Sequence, residues 1–466
     1  MTPTSNDHRG PTRRTVLRAA AGIVGASGLA TALQACGGSD GTATGTASGS
    51  GGSSAPAKLV NVEHDDRPLD NAAQKAVYAA FHRTHPNIDI RFDVIPWEQA
   101  QSKMLTLGQG NSLPNCGRMA YPSDYVAANL VLPLDDMVSA TWKQRYAPEA
   151  LQAYTAQGTD GKTHLYGLPW FAGATAVMVN KTLLDRAGVK LGASWTTEEF
   201  SNVCKAVTQP GKQWGVAIDG SGVGDPVQIL LMAVYAHGGR WVKGDPNGTS
   251  VEALTFDSPE TVAGITWYTD LYKNGSAVPS APSDTYQQRD AHFLAGKAAI
   301  AWQGPWNITA TQATFTSNGY ELVSMPLPNG PAGSVSVYGG GGTGIYVSSK
   351  KQGVVPQAFE WIDFVSSDEG EKLWCKANGE IPASIAGQKD PYWASNPLYQ
   401  GYLGAIPKCP NMLPVWATSL SSLLDTIIPP LLQGTLAGKL TPAQMATQVQ
   451  EQVVAGLAKN GVKVPS

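Results

Sequence analysis

Three acidic side chains stand together directly after the first strand-like segment of the sequence. Residues 58–62 (KLVNV) read as a strand, and Glu63, Asp65 and Asp66 follow almost at once. Each carboxylate oxygen can accept two hydrogen bonds, so this cluster is suited to binding the hydroxyl groups of a ligand. A solvated turn in which an aspartate caps the next helix is the alternative interpretation. We expect at least one of the three side chains to contact a ligand.

The sequence is also rich in aromatic residues that carry a polar edge. It contains 13 Trp and 16 Tyr but only 9 Phe. Flat rings with polar edges suit burial against a partner that also needs hydrogen bonds. A large hydrophobic core uses Trp as well, so the composition by itself is only a hint of such a partner.

Motifs of the common catalytic and cofactor sites are missing from the sequence. It has no HExxH, EF-hand, GxSxG or P-loop pattern. One literal GxGxxG spans 339–344, but strand-like residues 345–347 follow it where a pyrophosphate site needs a helix. The glycine run is better interpreted as a flat surface that lets a ligand approach the backbone. His82 and His85 have a metal-compatible spacing without further ligands nearby, so we expect a solvated helix end, no metal and no cofactor.

Four cysteines lie beyond the N-terminal region, at Cys116, Cys204, Cys375 and Cys409. None belongs to a CxxC pair, which excludes zinc-ribbon and thioredoxin-like sites. An exported chain can form disulfides, and four cysteines allow three pairings between which the sequence does not choose. Buried thiols are the alternative, and Cys204 and Cys375 lie in helical patterns where burial is natural.

The first 57 residues predict an export signal and a tether. The twin arginine Arg13-Arg14 precedes the apolar run 19–35, which is too short and too weakly apolar for a stable spanning helix. The run ends in LQAC, which resembles a bacterial lipobox in which Cys36 carries the lipid. Residues 37–57 are rich in Gly, Ser and Thr and predict a flexible coil. We expect residues 1–35 to be a signal peptide, and residues 36–57 to hold a folded body at the outer face of the membrane.

The composition of the whole chain excludes several classes of protein. Its 466 residues are 42% hydrophobic and 15% charged, which argues against disorder over the whole length. The formal charge is −3, and it becomes −6 without residues 1–35, which hold four arginines and one aspartate. A mildly acidic body argues against a nucleic-acid-binding protein.

The chain from residue 58 onwards begins with alternating strands and helices. Strand patterns at 58–62 and 88–95 alternate with helical patterns at 71–84 and 97–107, which predicts a parallel sheet with helices on its faces. Ligands of such sheets bind beyond the carboxyl ends of the strands, where the acidic cluster lies. Residues 195–200 (WTTEEF) begin a further helix, with a threonine cap and glutamates in the first turn.

Several segments together resemble one family. They are DGKTHLYGLP at 160–169, VMVNK at 177–181, AGV at 187–189, WTTEEF at 195–200, HFLAGKAAI at 292–300, and a tail with 339–347, 358–366, Gly379, Ile381 and Pro382. In this order they are similar to the maltose-binding-protein-like solute-binding proteins of ABC sugar importers. The resemblance runs from about residue 58 to 430. One departure is Val179 before Asn180, where the family often has Tyr.

This resemblance implies a two-lobed α/β fold of the periplasmic-binding-protein type, with a hinge of two or three chain crossings and a ligand cleft between the lobes. Lobe 1 is expected at 58–166 plus 300–350, and lobe 2 at 167–299 plus 351–466. The implied function is a monomeric, non-enzymatic receptor that delivers a sugar or oligosaccharide to an ABC permease. A glycerol-phosphate-type ligand is the first alternative, and a lipid-anchored glycoside hydrolase is the second.

A sugar offers apolar C–H faces and rings of hydroxyls, so its site needs aromatic platforms and a few directed polar groups. Trp302 and Trp306 lie where the family often has a ligand-facing tryptophan. Arg118 is a candidate for a phosphate, with a structural ion pair as its alternative. The candidate ligand-binding residues are Glu63, Asp65, Tyr121, Asp124, Trp170, Asp225, Trp241, Trp302, Trp306, Gly340 and Gly341.

Overall fold

The computed structural model describes residues 55–64, 68–119, 122–244, 251–336, 343–348, 352–409 and 420–463. The strands are β1 Ala57–His64, β2 Ile88–Ile95, β3 Cys116–Met119, β4 Thr155–Gln157, β5 Thr163–Leu165, β6 Leu168–Ala172, β7 Ala176–Asn180, β8 Trp214–Ala217, β9 Val242–Gly244, β10 Val251–Leu254, β11 Ala298–Gln303, β12 Leu322–Met325, β13 Thr343–Val347 and β14 Ile381–Pro382.

The helices follow in the same order along the chain. They are α1 Pro68–Thr84, α2 Trp97–Gln109, α3 Pro122–Ala127, α4 Ala140–Lys143, α5 Pro148–Gln152, α6 Lys181–Arg186, α7 Thr197–Val207, α8 Asp225–Ala236, α9 Pro259–Lys273, α10 Tyr286–Leu294, α11 Ile308–Ser317, α12 Val355–Val365, α13 Asp368–Asn378, α14 Ile385–Gln388, α15 Pro391–Ala394, α16 Pro397–Ala405, α17 Leu420–Leu436 and α18 Pro442–Lys459.

The first sheet has six strands in the order β14-β6-β13-β3-β1-β2. Strand β1 pairs in parallel with β2 along its whole length and with β3 on its other side, whereas β13 runs antiparallel to β3 and β6. The opening β1–α1–β2–α2 sequence confirms the strand and helix alternation that the hydrophobic periodicity predicts. Because β1 and β3 are parallel, their carboxyl ends meet at the same edge of the sheet.

The second sheet has four strands in the order β12-β7-β11-β8. Strand β7 runs antiparallel to β11 and β12, and β11 runs parallel to β8. Helix α8 is buried from Pro226 to Ala236 and packs against α9 and α17. Helix α7 begins with the predicted cap, since the Thr196 hydroxyl accepts from the Glu199 N–H and the Glu199 carboxylate accepts from the Thr196 N–H.

The chain passes between the two sheets three times: from β6 to β7, from β12 to β13, and between α15 and α16, since α16 packs on β12 and β7. The first two passages are tied together at Thr175. Its N–H donates to the Ser336 hydroxyl oxygen at 2.7 Å, and that hydroxyl donates to the Thr175 carbonyl at 3.2 Å. Passages of the chain between two sheets are the structural basis of a hinge.

The strand pairing divides the chain into lobes differently from the predicted boundaries. Segment 300–350, predicted for lobe 1, supplies most of β11 and all of β12 to the second sheet, because Ile300 pairs with Val179 and Leu322 with Asn180. Segment 352–394, predicted for lobe 2, contributes β14 to the first sheet and packs α12 and α13 against it, whereas α16 packs on β12 and β7 of the second sheet. From here on, lobe 1 means residues 55–172 and 343–394, and lobe 2 means residues 176–336, 397–409 and 420–463.

Candidate functional site

The lobe 1 wall of the site is built at the carboxyl end of β1. Arg118 of β3 donates from Nη1 to the His64 carbonyl oxygen at 2.7 Å. Its guanidinium carbon lies 5.6 Å from the ring centroid of Trp97 and 5.2 Å from that of Phe171. Trp97 is the first residue of α2, and its indole meets the His64 ring edge-on. Arg118 therefore fixes the strand end and supports the indole from behind.

Burial controls the protonation of the two residues that end β1. Glu63 is only 3% exposed and accepts one hydrogen bond, from Asn61 Nδ2 at 2.9 Å. Its burial raises its pKa to about 8, although the nearby Arg118 charge lowers it. Burial, with a further contribution from Arg118, lowers the pKa of His64 to about 3. Burial thus favours the neutral form of both side chains, which lie beneath the surface of the site.

Helices α2 and α3 add polar groups to the same wall. Gln101, one turn after Trp97, donates from Nε2 to Asp124 Oδ2 at 2.7 Å. Asp124 lies in the first turn of α3 and is largely buried. The structure thus places Asp124, one of the residues predicted from the sequence, on the lobe 1 wall in contact with Gln101.

The lobe 2 wall is organised by one buried arginine. Arg289 Nη1 lies 3.2 Å from Asp219 Oδ1 and 2.9 Å from Asp225 Oδ2, and its Nη2 lies 3.0 Å from Asp290 Oδ1. Asp219 is fully buried, whereas the Asp225 side chain stays 17% exposed. Burial raises the pKa of Asp219 to about 7 against the lowering effect of Arg289, and the pKa of Asp225 moves in the same direction for the same reason.

A third element reaches this wall from the C-terminal part of the chain. Asp425 of α17 accepts a hydrogen bond at Oδ1 from the Gly224 N–H, 3.1 Å away. Burial raises the pKa of Asp425 to about 6, and the negative charges of Asp225 and Asp124 raise it further. Asp425 is therefore close enough to interact electrostatically with Asp124 of lobe 1 and Asp225 of lobe 2.

The two walls touch at the first turn of α2. Gln287 of α10 donates from Nε2 to Glu98 Oε1 at 2.5 Å. The position that a Cβ atom would occupy on Gly224 lies 3.1 Å from Trp97 Nε1. The carboxyl ends of the two sheets thus form the facing sides of one cleft, lined by carboxylates, amides and an indole.

Three of the four predicted tryptophans lie inside the lobes and are at most 3% exposed. Trp170 packs on Trp374 with ring centroids 4.1 Å apart. Trp302 packs among Phe200, Trp267 and Tyr268, and Trp241 packs against Phe256. Their rings have no open face for a ligand in this conformation, whereas Trp306, folded over Gly304, stays half-buried.

Several predictions fall on residues that the structure does not describe. They are Asp65, Tyr121, Gly340 and Gly341 among the candidate site residues, and Arg13, Arg14 and Cys36 in the predicted signal. They stay predictions from the sequence.

Within the described ranges, no group of three His, Cys, Asp or Glu side chains is arranged to hold a metal ion. No described helix combines the length and apolarity that crossing a bilayer requires. The four cysteines beyond the N-terminal region are buried free thiols, and Cys116 donates to Asn61 Oδ1 at 3.5 Å. Burial raises the pKa of each thiol, so none is poised as a nucleophile.

Sequence reasoning missed Trp97, Glu98, Gln101, Gln287 and Asp425. The rule that selected Glu63 would also have found the first two, because they directly follow β2 at the same edge of the sheet. Gln101 lies one helical turn further on. Asp425 carries no such signal. It lies on a helix more than 300 residues after Asp124 in the sequence, and only the fold brings it to the cleft.

The two lobes, the three passages between them and the polar cleft define a two-lobed binding protein. Residues 66–372 match the family described as bacterial extracellular solute-binding protein, and the chain belongs to that family. This confirms the resemblance that the sequence motifs indicate.

Similar proteins agree with this assignment. The chain is 23% identical to the maltotriose-binding protein of Pyrococcus abyssi over 384 residues, which cover 79% of this chain and 77% of that protein. It is 22% identical to the arabinooligosaccharide-binding protein of Halalkalibacterium halodurans over 356 residues, covering 73% and 68%. The GacH receptor of Streptomyces glaucescens has a similar fold, with a TM-score of 0.73 at 21% identity, covering 87% of this chain and 99% of that one.

Proposed function

We propose that this protein is the membrane-anchored substrate-binding component of an ABC importer, and that it captures a sugar or oligosaccharide between its lobes. Its family and the carbohydrate ligands named for its relatives support the proposal. A ligand that contacts both walls at once stabilises the closed conformer, which is how such a receptor couples binding to a change of shape.

The observation that carries the proposal is the chemistry of the facing walls. Lobe 1 offers Trp97, Gln101 and Asp124, and lobe 2 offers Asp225 and Asp425. Carboxylates accept hydrogen bonds from hydroxyls, and side-chain amides both donate to and accept from them. An indole face packs on the apolar face of a sugar ring. We therefore propose these five side chains as the central part of the ligand site.

A phosphate-bearing ligand has less support from this site. Arg118 already binds the His64 carbonyl oxygen and packs on two aromatic rings. Arg289 is surrounded by three aspartates. Among the described side chains of the cleft, a phosphate would meet the carboxylates Asp124, Asp225 and Asp425, and like charges at close range repel. A neutral carbohydrate avoids this cost.

We further propose that the receptor releases its ligand intact and works outside the cytoplasm on a lipid anchor. The anchor would be a lipid on Cys36 after twin-arginine export. The 20 residues 37–56, which precede strand β1, would then give the body a root-mean-square reach of about 25 Å from the membrane. This reach would let the body swing between solution and a neighbouring permease.

A thermal-shift screen of the chain from residue 37 onwards tests the ligand class. The panel contains mono-, di- and oligosaccharides together with glycerol phosphates. A ligand present at 100 times its Kd adds about 2.7 kcal/mol to the free energy of unfolding, which a thermal shift detects. A shift with one sugar class, followed by recovery of that sugar unchanged, supports the proposal. A shift with glycerol phosphates alone would replace it with the phosphate alternative, and turnover of the sugar would replace it with a hydrolase.

A further inference from the structure

The first turn of α2 is the place where lobe 1 reaches across to lobe 2. Two consecutive residues make the contact: Glu98 accepts the hydrogen bond from Gln287, and Trp97 approaches Gly224. Gln287 lies in the first turn of α10, and Gly224 is the residue before α8. One helical turn of lobe 1 therefore contacts the starts of two helices of lobe 2.

The orientation of the Gln287 amide is set from its own side. Its Oε1 lies within hydrogen-bonding distance of the hydroxyl of Thr285, the residue directly before α10. With the amide oxygen facing Thr285, the NH₂ group faces Glu98. Since a carboxylate only accepts hydrogen bonds, the pair has one donor and one acceptor in matched positions.

Gly224 matches Trp97 in shape. Its φ angle is +83°, a conformation that favours glycine, and a Cβ atom at this residue would press on the indole nitrogen. The Gly224 N–H is held by Asp425, so the backbone at the contact is fixed within lobe 2. The indole therefore packs against Gly224, which has no side chain and whose N–H is held by Asp425.

We propose that Trp97 and Glu98 form a latch, which holds the lobes closed by direct protein–protein contact with Gly224 and Gln287. Contacts made only in the closed conformer shift the hinge equilibrium towards it, and they raise the apparent affinity for any ligand that needs closure. The latch goes beyond the proposed function, because it depends on the two-lobed hinge and not on the identity of the ligand. It makes closure partly a property of the chain itself.

A charge-swap series tests the latch in the whole chain from residue 37 onwards. Gln287→Glu places two carboxylates opposite each other and should open the lobes. The double variant Glu98→Gln with Gln287→Glu restores one amide and one carboxylate and should close them again. Glu98→Gln alone is the matched control, because its amide oxygen still accepts the bond from Gln287. Small-angle X-ray scattering of the protein alone measures the radius of gyration of each variant.

The expected order is a larger radius of gyration for Gln287→Glu than for the other three proteins. Once a ligand is known from the thermal-shift screen, its Kd should rise roughly two- to fivefold in Gln287→Glu and recover in the double variant. The opening should also shrink at about 1 M salt, where charges are screened beyond about 3 Å.

Equal scattering from wild type and Gln287→Glu at low salt would overturn the latch, as would a double variant that stays open. Trp97→Ala provides the second route: it should enlarge the radius of gyration while each lobe keeps its unfolding transition. An unchanged radius of gyration in a folded Trp97→Ala protein would show that the contact of Trp97 with Gly224 does not hold the lobes closed. The scattering needs no ligand, so its failure is separate from a failure of the sugar assignment.

Discussion

Among the residues that the structure describes, each lobe buries one arginine near the cleft, and different groups contact the two side chains. Arg118 of lobe 1 binds a carbonyl oxygen and packs on the rings of Trp97 and Phe171. Arg289 of lobe 2 contacts three aspartates. Two aromatic rings pack against the first guanidinium, whereas three carboxylates surround the second.

The described carboxylates also differ between the two walls. Burial raises the pKa of Glu63 and favours its neutral form, although the nearby Arg118 charge lowers the pKa. The lobe 2 wall keeps an excess of carboxylates around Arg289, and Asp425 adds one more. Under the proposed function, a polar ligand would bind between a wall that offers an aromatic ring and a wall rich in hydrogen-bond acceptors.

The largest expected effect comes from removing the outnumbered cation. Arg289→Met would leave three aspartates without their counter-charge, two of them mostly buried and one fully buried, and should cost about 3–5 kcal/mol of the free energy of unfolding. Arg118→Met breaks a hydrogen bond to one carbonyl oxygen and should cost less, about 1–3 kcal/mol. Urea unfolding at pH 7 measures both.

Arg83→Met is the control for this pair, because Arg83 is 68% exposed and its ion pair with Glu369 lies on the surface. It should change stability by less than about 1 kcal/mol. Equal losses in the Arg118 and Arg289 variants would contradict the distinction between the two arginine sites.

The next effect is a pH dependence that belongs to lobe 1. The pKa of Glu63 rises from 4.5 to about 8 on folding, so the folded state binds its proton more tightly than the unfolded state between these values. Stability must therefore fall as pH rises through this window, by up to about 1.4 kcal/mol per pH unit from this group. Glu63→Gln keeps an acceptor for Asn61 and removes the titration, so its stability relative to wild type should increase from pH 5 to pH 8.

Urea unfolding of both proteins at several pH values between 5 and 8 measures this trend. Glu369→Gln, on an exposed carboxylate, is the control and should run parallel to wild type over the same range. A Glu63→Gln curve that also runs parallel to wild type would show that Glu63 stays ionised in the folded protein.

The sequence predicted the parts of this molecule that depend on local pattern. The β1–α1–β2–α2 start, the Thr196 cap and the strand at 345–347 follow from periodicity and capping, and the structure confirms them. The fold followed from motifs in family order. The lobe boundaries did not, because they depend on which strands pair at long range, and Ile300 pairs with Val179 across 120 residues.

Two tryptophans show how far the candidate site could be predicted from the sequence. Trp302 and Trp97 both stand at the end of a strand pattern, and nothing in their local sequence says which side of the sheet each faces. The structure packs Trp302 among three aromatic rings and leaves Trp97 half-buried at the cleft. Side-chain direction at a strand end depends on register and on what packs above it, which only the assembled lobes define.

The smallest expected effects are on ligand affinity, and they test whether both walls bind the same ligand. Asp425→Ala removes the acceptor of the Gly224 N–H and a carboxylate of the lobe 2 wall, and should weaken binding about tenfold, or about 1.4 kcal/mol. Asp124→Ala removes a carboxylate of the opposite wall and should act to a similar extent. Isothermal titration calorimetry with the ligand from the thermal-shift screen gives both Kd values.

Asp368→Ala, on a side chain that is 74% exposed, is the control for loss of a carboxylate and should leave the Kd unchanged. If one ligand bridges both walls, each single variant weakens binding, because closure needs the two contacts together. The double variant Asp124→Ala with Asp425→Ala measures the coupling between the two contacts. If each substitution costs the same binding energy with or without the other, the contacts are independent. If the second substitution costs less in the presence of the first, the first had already prevented closure. An effect from Asp425→Ala alone would place the ligand on lobe 2 and leave lobe 1 to act through the latch.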